Sequence, residues 1–136
     1  MYEIIDHTAD LGIRVFGDNA ADLFKNAALA LSNLLADTRL LRGSRSIVIQ
    51  VSGDDWPDLM VNWLREILYL WNGQEELVQR VEIESIREKR MVSRVFFDPY
   101  SPQKHILNRE IKAVTYHQIQ VIDTGSRWEA TIIFDV

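Results

Sequence analysis

Residues 11–35, LGIRVFGDNAADLFKNAALALSNLL, contain the change of hydrophobic period that decides the fold class. From Leu11 to Gly17, apolar residues alternate with other residues, as in a β-strand that buries one face. After Asp18 and Asn19, either of which can cap a helix, the apolar residues recur at the spacing of an amphipathic helix. This stretch therefore predicts a strand that leads directly into a helix.

A second segment with helical spacing follows the next predicted strand. Pro57 suits its first turn, and the neighbouring aspartates suit the positive end of the helix dipole. The pair Asn72-Gly73 predicts its end, where a left-handed cap is expected. Large aromatic rings recur along one face, and we interpret them as core residues because their burial is strongly stabilising. These rings are Trp56, Trp63 and Trp71.

Alternating patterns predict strands elsewhere in the chain. They cover residues 2–5 and 47–51, two strands around a charged hairpin tip at 87–90, and a final pair at 111–122 and 127–135. In chain order this gives strand, strand, helix, strand, helix and then several antiparallel strands. We therefore expect one α+β domain over residues 1–136, with two helices packed on one face of a mostly antiparallel β-sheet.

Composition limits the classes of partner and site. The 136 residues carry 15 basic and 20 acidic side chains, a net charge of −5, so we expect no tight direct binding to nucleic acid. The absence of cysteine excludes disulfide partners and thiolate metal sites. The sequence shows neither a signal peptide nor an apolar run of about 20 residues, so we expect a cytoplasmic protein that is not in a membrane.

The first loop of the chain concentrates polar groups with metal-binding chemistry. This loop is Asp6-His7-Thr8-Ala9-Asp10, between two predicted strands. At the other end of the chain, Asp135 and the carboxylate of Val136 offer further oxygen ligands for a hard cation, and His7 would suit a softer metal. Spacing alone gives no reason for the two ends to meet, so structural roles in loops and caps explain these residues more simply.

A second polar segment opens the strand predicted at 111–122. If that strand is regular, Lys112 and Tyr116 share one face and His117 lies on the other. Lys112 would pair with a nearby carboxylate when no cation is bound. His117, like His7, could transfer a proton near neutral pH. Packing and surface roles explain these residues comparably well.

The sequence contains no motif for nucleotide binding, for a nucleophilic serine or for a zinc protease. A metal-dependent phosphohydrolase that uses Asp10 and Asp135 stays open, although no nucleophile or base motif accompanies these carboxylates. Aromatic residues near the basic hairpin could stack on RNA bases, but their alternation favours core positions. These residues are Phe96, Phe97 and Tyr100.

Four segments resemble the archease family, in matching order and across the whole chain. They are DHTADLGI at 6–13, LREILYL at 64–70, EIKAVTYH at 110–117 and FDV at 134–136. The first and third segments together are highly specific, and each alone would be moderately so. Leu11, where valine or isoleucine is more usual, is a minor departure that affects no functional position.

The resemblance implies a non-catalytic accessory protein of the RtcB-type RNA ligase, which seals RNA ends in tRNA splicing and RNA repair. That ligase is guanylylated on a histidine with GTP and Mn²⁺, and archease-like proteins promote this step and repeated turnover. A broader role is also suggested for the family, as a chaperone or modulator of RNA-modifying enzymes such as tRNA methyltransferases.

The resemblance further implies a divalent-cation site. Carried onto this sequence, its ligands are Asp10, Asp135 and Val136, with Ca²⁺ as the expected cation and Mg²⁺ or Mn²⁺ as alternatives. Lys112 matches a family lysine implicated in activity. A chain that ends at Val136 would place its own carboxylate at the site, and the last strand must then return beside the first loop. The remaining supporting or partner-activating residues are Asp6, His7, Tyr116 and His117.

Overall fold

A computed structural model describes residues 2–6 and 10–136, which form two α-helices, one short 3-10 helix (Thr38–Leu40) and eight strands. In chain order, the described elements are β1 (Tyr2–Asp6), β2 (Leu11–Gly17), α1 (Ala20–Leu35), β3 (Arg45–Ser52), α2 (Trp56–Gln74), β4 (Glu76–Arg87), β5 (Arg90–Pro99), β6 (Ala113–Val114), β7 (Gln120–Asp123) and β8 (Trp128–Asp135). All of the strand pairs between these elements are antiparallel. The predicted α+β class is confirmed.

The antiparallel strands divide between two sheets. One sheet has the order β1-β2-β8-β6, with β7 also paired to β8, and the other has the order β3-β5-β4. Both helices contact strands of both sheets, and one continuous cluster of buried apolar residues joins these layers. Neither helix in the described part of the chain is long and apolar enough to cross a membrane.

The aromatic stripe of α2 packs into this core, as the helical spacing predicts. Trp63 is fully buried, and its indole nitrogen donates a hydrogen bond of 2.9 Å to the carbonyl of Phe24 on α1. The partly buried Trp56 ring packs against Trp128 of β8, with 5.1 Å between the ring centroids. Because these contacts join α2 to both α1 and β8, the helix is fixed on its apolar side.

The two connections from strand to helix share a local repeat that the sequence analysis did not predict. In each connection, the side chain of the helix-cap residue accepts a hydrogen bond from the backbone amide three residues later. The side-chain carboxylate of that later residue accepts a hydrogen bond from the backbone amide of the residue before the cap. One turn further on, an asparagine amide donates to a carbonyl at the end of the preceding strand. The two sets are Asp18, Asn19, Asp22 and Asn26, and Asp54, Asp55, Asp58 and Asn62.

Two predicted boundaries are wrong. Helix α2 runs past Asn72-Gly73 to Gln74, and Glu75 adopts the left-handed cap with φ 53°. Gly73 instead allows close packing, because a Cβ atom there would lie 2.3 Å from the ring of Tyr69. The side chain of Asn72 points away from the helix axis and donates to the carbonyl of Ile111 at 3.0 Å.

The long strand predicted at 111–122 is also wrong, because it is broken into β6 and β7. Continuing the pairing of Ala113 with Asp135 would place His117 opposite Thr131, but Gln120 occupies that position. Three residues are therefore looped out. The hydroxyl of Thr115 explains the break: it donates to the carbonyl of Ile133 and accepts from the amide of His117, which starts a turn.

Asp98, at the end of β5, organises the loop before β3. Its side chain is only 6% exposed, and its two oxygens accept hydrogen bonds from the amides of Arg42, Gly43 and Ser44 and from the Ser44 hydroxyl. Burial alone would raise the pKa of Asp98, but the bonds from Ser44, Gly43 and Arg42 outweigh it and lower the pKa to about 2. The ionised carboxylate thus fixes the loop against the sheet.

We expect Asp98→Asn to lower the free energy of unfolding by about 2 to 3 kcal/mol at neutral pH. The side-chain NH₂ group of the asparagine is a donor and would face the backbone N–H donors of the loop. The pKa of Asp98 is lower in the folded state than in the unfolded chain. The stabilisation that the ionised carboxylate gives to the fold is therefore fully present above about pH 4 and is lost as the pH falls through about 2. Urea unfolding between pH 2 and 7 measures both effects. An equally steep acid loss in the variant would contradict this assignment.

Candidate functional site

The pairing of β2 with β8 brings the two ends of the chain together. Leu11 faces Phe134 at the end of this ladder, so Asp10, which immediately precedes β2, and Asp135, the last residue of β8, lie at the same end of the sheet. The register therefore brings the residue before β2 and the end of β8 to one end of the sheet, which spacing alone could not predict.

Asp135 also has a neighbour on its other side. It pairs with Ala113 of β6, and its carbonyl accepts a hydrogen bond of 2.8 Å from the amide of Lys112. The end of β8 thus lies between Asp10 on one side and the backbone of Lys112 on the other. Lys112 makes no ion pair with the side chains that the structure describes, so the predicted pairing with a carboxylate is not seen among them.

We call Asp10, Asp135 and Val136 the acidic tip. Asp135 and Val136 are exposed and Asp10 is half-buried, while Leu11 and Phe134 next to them are buried in the core. The tip is therefore an exposed end of a sheet, supported from beneath by apolar packing.

Part of the predicted loop lies outside the described residues. His7 is not described, and for Asp6 only the backbone is: it ends β1 opposite Leu11. Among the described residues, no three histidine, aspartate or glutamate side chains form a group that could hold a metal ion. A cation at the tip would rely on Asp10, Asp135 and the carboxylate of Val136, an all-oxygen set whose chemistry fits Ca²⁺, Mg²⁺ or Mn²⁺.

Tyr116 and His117 do not lie on opposite faces of a regular strand, because β6 ends at Val114. The Tyr116 hydroxyl donates a hydrogen bond of 2.7 Å to Asp58 in the first turn of α2, and the guanidinium of Arg65 lies 4.8 Å from the Tyr116 ring centroid. His117 is exposed in the turn that follows. Tyr116 is therefore directed toward α2.

The contact between Tyr116 and Asp58 shifts the pKa of both groups. The hydrogen bond to Asp58, together with partial burial and the charge of Asp58, raises the pKa of Tyr116. The pKa of Asp58 is lowered, first by the hydrogen bond from the Asp54 amide and then by the one from Tyr116. At neutral pH the phenol is a donor and the carboxylate an acceptor, which favours the observed contact.

Sequence reasoning missed three polar residues of α2 that contact the segment around Lys112. They are Asp58, Arg65 and Asn72. Their regular spacing of seven along a helix with an apolar face was the available signal.

Away from the tip, a cleft of about 460 Å³ opens beside Trp71, Leu107 and Arg109, and it contains none of the predicted site residues.

The family assignment follows from comparison with known sequences. The family model described as the archease protein family (MTH1598/TM1083) matches residues 2–136. The chain belongs to the archease family. Its relatives include the protein archease of Methanosarcina mazei, 33% identical over 99% of this chain and 95% of the relative, and that of Pyrococcus furiosus, 34% identical over 99% and 98%.

Solved structures of the family have the same fold. The solution structure of Methanobacterium thermoautotrophicum protein 1598 has a TM-score of 0.81 and 26% identity, covering 99% of this chain and 98% of its own. A Thermotoga maritima crystal structure, described as an archease and possible chaperone, has a TM-score of 0.67 and 20% identity, covering 100% and 98%. At that identity the second comparison supports the fold alone.

We expect the phenol of Tyr116 to titrate above the ordinary tyrosine pKa of 10.0, because the neutral form donates to Asp58. In Asp58→Asn the midpoint should return toward the ordinary value. NMR detection of the tyrosine Cζ resonances as a function of pH measures this midpoint. Identical midpoints in the two proteins would show that the Tyr116 contact is absent in solution.

Proposed function

We propose that this protein is a non-catalytic accessory factor that activates an RtcB-type RNA ligase by promoting its guanylylation and multiple turnover. The observation that carries the proposal is the position of Asp135, between Asp10, which immediately precedes β2, and Lys112, which immediately precedes β6. Three of the residues that the resemblance implicates, Asp10, Lys112 and Asp135, come from separate segments whose backbones are neighbours at this end of the fold, which supports the proposal. Membership of the archease family supports the same role.

The acidic tip is proposed to bind one divalent cation through Asp10, Asp135 and the carboxylate of Val136. A divalent cation supplies positive charge that attracts phosphate oxygens. The chain's own contribution is to hold three oxygen ligands at the end of a sheet and to keep the backbone of Lys112 next to Asp135. Lys112 adds a compact positive charge on a flexible stem, which suits contact with a phosphate or a carboxylate of a partner.

The exposure of the tip favours a role at a partner's active site over catalysis by the chain alone. Val136 is 42% exposed, and Lys112 and Asp135 are also exposed. Enzymes usually enclose their reacting groups in a cleft that excludes water. An exposed acidic end that projects from a packed core is better suited to entering the cleft of another protein.

Removal of one tip carboxylate tests cation binding. We expect Asp135→Asn and Asp10→Asn each to weaken Ca²⁺ affinity at least about tenfold, because each removes a charged ligand. Isothermal titration with Ca²⁺, Mg²⁺ and Mn²⁺ gives the affinities. Asp18→Asn, at the opposite end of β2, is the matched control and should bind like the wild type. Unchanged affinity in Asp135→Asn would remove the tip from the proposal.

The role in activation is tested by guanylylation of the ligase from the same organism, with this protein at sub-stoichiometric concentration. We expect the wild type to increase the rate and the number of turnovers, and Asp135→Asn or Lys112→Ala to lose at least about tenfold of that stimulation. Asp18→Asn should stimulate normally. Absence of stimulation by the wild type would contradict the proposal, and recovery of a tRNA methyltransferase without the ligase from native extract would favour the chaperone alternative.

A further inference from the structure

Three polar side chains recur at every seventh position along α2, at Asp58, Arg65 and Asn72. Seven residues are close to two turns of an α-helix, so the three side chains lie on one stripe. We call them the α2 polar stripe. All three contact the same extended segment, residues 111–116, which we call the strap.

The contacts are distributed along the length of the strap. The Asn72 amide donates to the carbonyl of Ile111 at 3.0 Å, and the Arg65 guanidinium donates to the carbonyl of Val114 at 3.4 Å. At the far end, the Tyr116 hydroxyl donates to Asp58 at 2.7 Å, and the same Arg65 guanidinium stacks over the Tyr116 ring. The strap thus runs antiparallel to α2 and is fastened to it at three points.

Lys112 lies between the first two of these points. Its neighbour Ile111 is fully buried and Val114 is 2% exposed, while Lys112 itself is exposed. The backbone amide of Lys112 donates to the carbonyl of Asp135. The backbone around Lys112 is therefore held on one side by α2 and on the other by the end of β8.

The pairing of the strap with the sheet is short, so the contacts with α2 add to it along the whole segment. Strand β6 has only two residues, and the hydrogen bonds of the strap to β8 extend only from Lys112, which bonds to Asp135, to Thr115, which bonds to Ile133. A strand this short is weakly held by backbone hydrogen bonds. The position of α2 itself does not depend on the stripe, because Trp63, Leu64 and Ile67 on its other side are buried in the core.

We propose that the α2 polar stripe positions Lys112 next to Asp135, and that stimulation of the partner ligase requires this position. Asp58, Arg65 and Asn72 are positioning residues, which act through the backbone of the strap. The inference rests on the proposed function for the role of Lys112. The holding of the strap itself is a property of the isolated protein and can be measured without the ligase.

The first measurement is amide hydrogen exchange at Lys112 by NMR in the full-length protein. Asn72→Leu removes the donor to Ile111 and keeps the number and branching of the side-chain heavy atoms, and Tyr116→Phe removes only the hydroxyl that bonds Asp58. We expect each to speed exchange at Lys112 about three- to tenfold, the effect of losing one hydrogen bond. Unchanged exchange in both variants would overturn the proposal.

The matched control is Asn62→Leu on the same helix. Asn62 also donates from its side-chain amide to a backbone carbonyl, that of Ser52, at 2.9 Å. It does not contact the strap. This variant should lower stability about as much as Asn72→Leu while leaving exchange at Lys112 and stimulation of guanylylation unchanged. Equal loss of stimulation in Asn62→Leu and Asn72→Leu would indicate a general structural effect and overturn the proposal.

The second measurement is a double-mutant cycle for stimulation of guanylylation. We expect Asn72→Leu alone to lower the stimulation about three- to tenfold, and to add nothing in the background of Lys112→Ala, because it acts through that residue. Fully additive losses would overturn the proposal. Absence of stimulation by the wild type would instead refute the proposed function, while the exchange result would still decide whether the stripe holds Lys112.

Discussion

The pairing of β2 with β8 is the interaction on which the rest of the structure depends. It joins seven residue pairs from opposite ends of the chain, from Leu11 with Phe134 to Gly17 with Trp128. Closing so long a loop costs conformational entropy, which the buried side chains of both strands offset. Ile13, Val15, Ile132 and Phe134 are all fully buried. Without this ladder, Asp10 and Asp135 would have no reason to be neighbours.

Helix α2 connects this ladder to the remainder of the molecule through two chemically different sides. Its apolar side is in the core, where Trp63 bonds to α1 and Trp56 packs on β8. Its polar side contacts the segment that carries Lys112. A displacement of α2 would therefore change both the packing of the core against β8 and the backbone position of Lys112.

Local rules predicted much of the fold because they depend on residues that are close in sequence. Hydrophobic period identified both helices and most strands, and the cap residues Asn19 and Asp55 mark the helix starts. The end of α2 and the break between β6 and β7 were missed for a common reason. The Thr115 hydroxyl bonds to Ile133 and breaks the strand, while the left-handed cap of α2 falls at Glu75 rather than at Gly73, so neither position follows from the local pattern.

The sequence by itself determined the α+β class, the residues of the apolar core and, through its resemblance to the archease family, the residues of the candidate site. Only the tertiary structure decided that Asp135 lies between Asp10 and Lys112, that the strands form two sheets, and that Tyr116 turns toward Asp58. The physical reason is the separation in sequence between the residues that interact. Propensity and periodicity act within a few residues, whereas strand pairing and the contacts of α2 with residues 111–116 join positions separated by tens of residues.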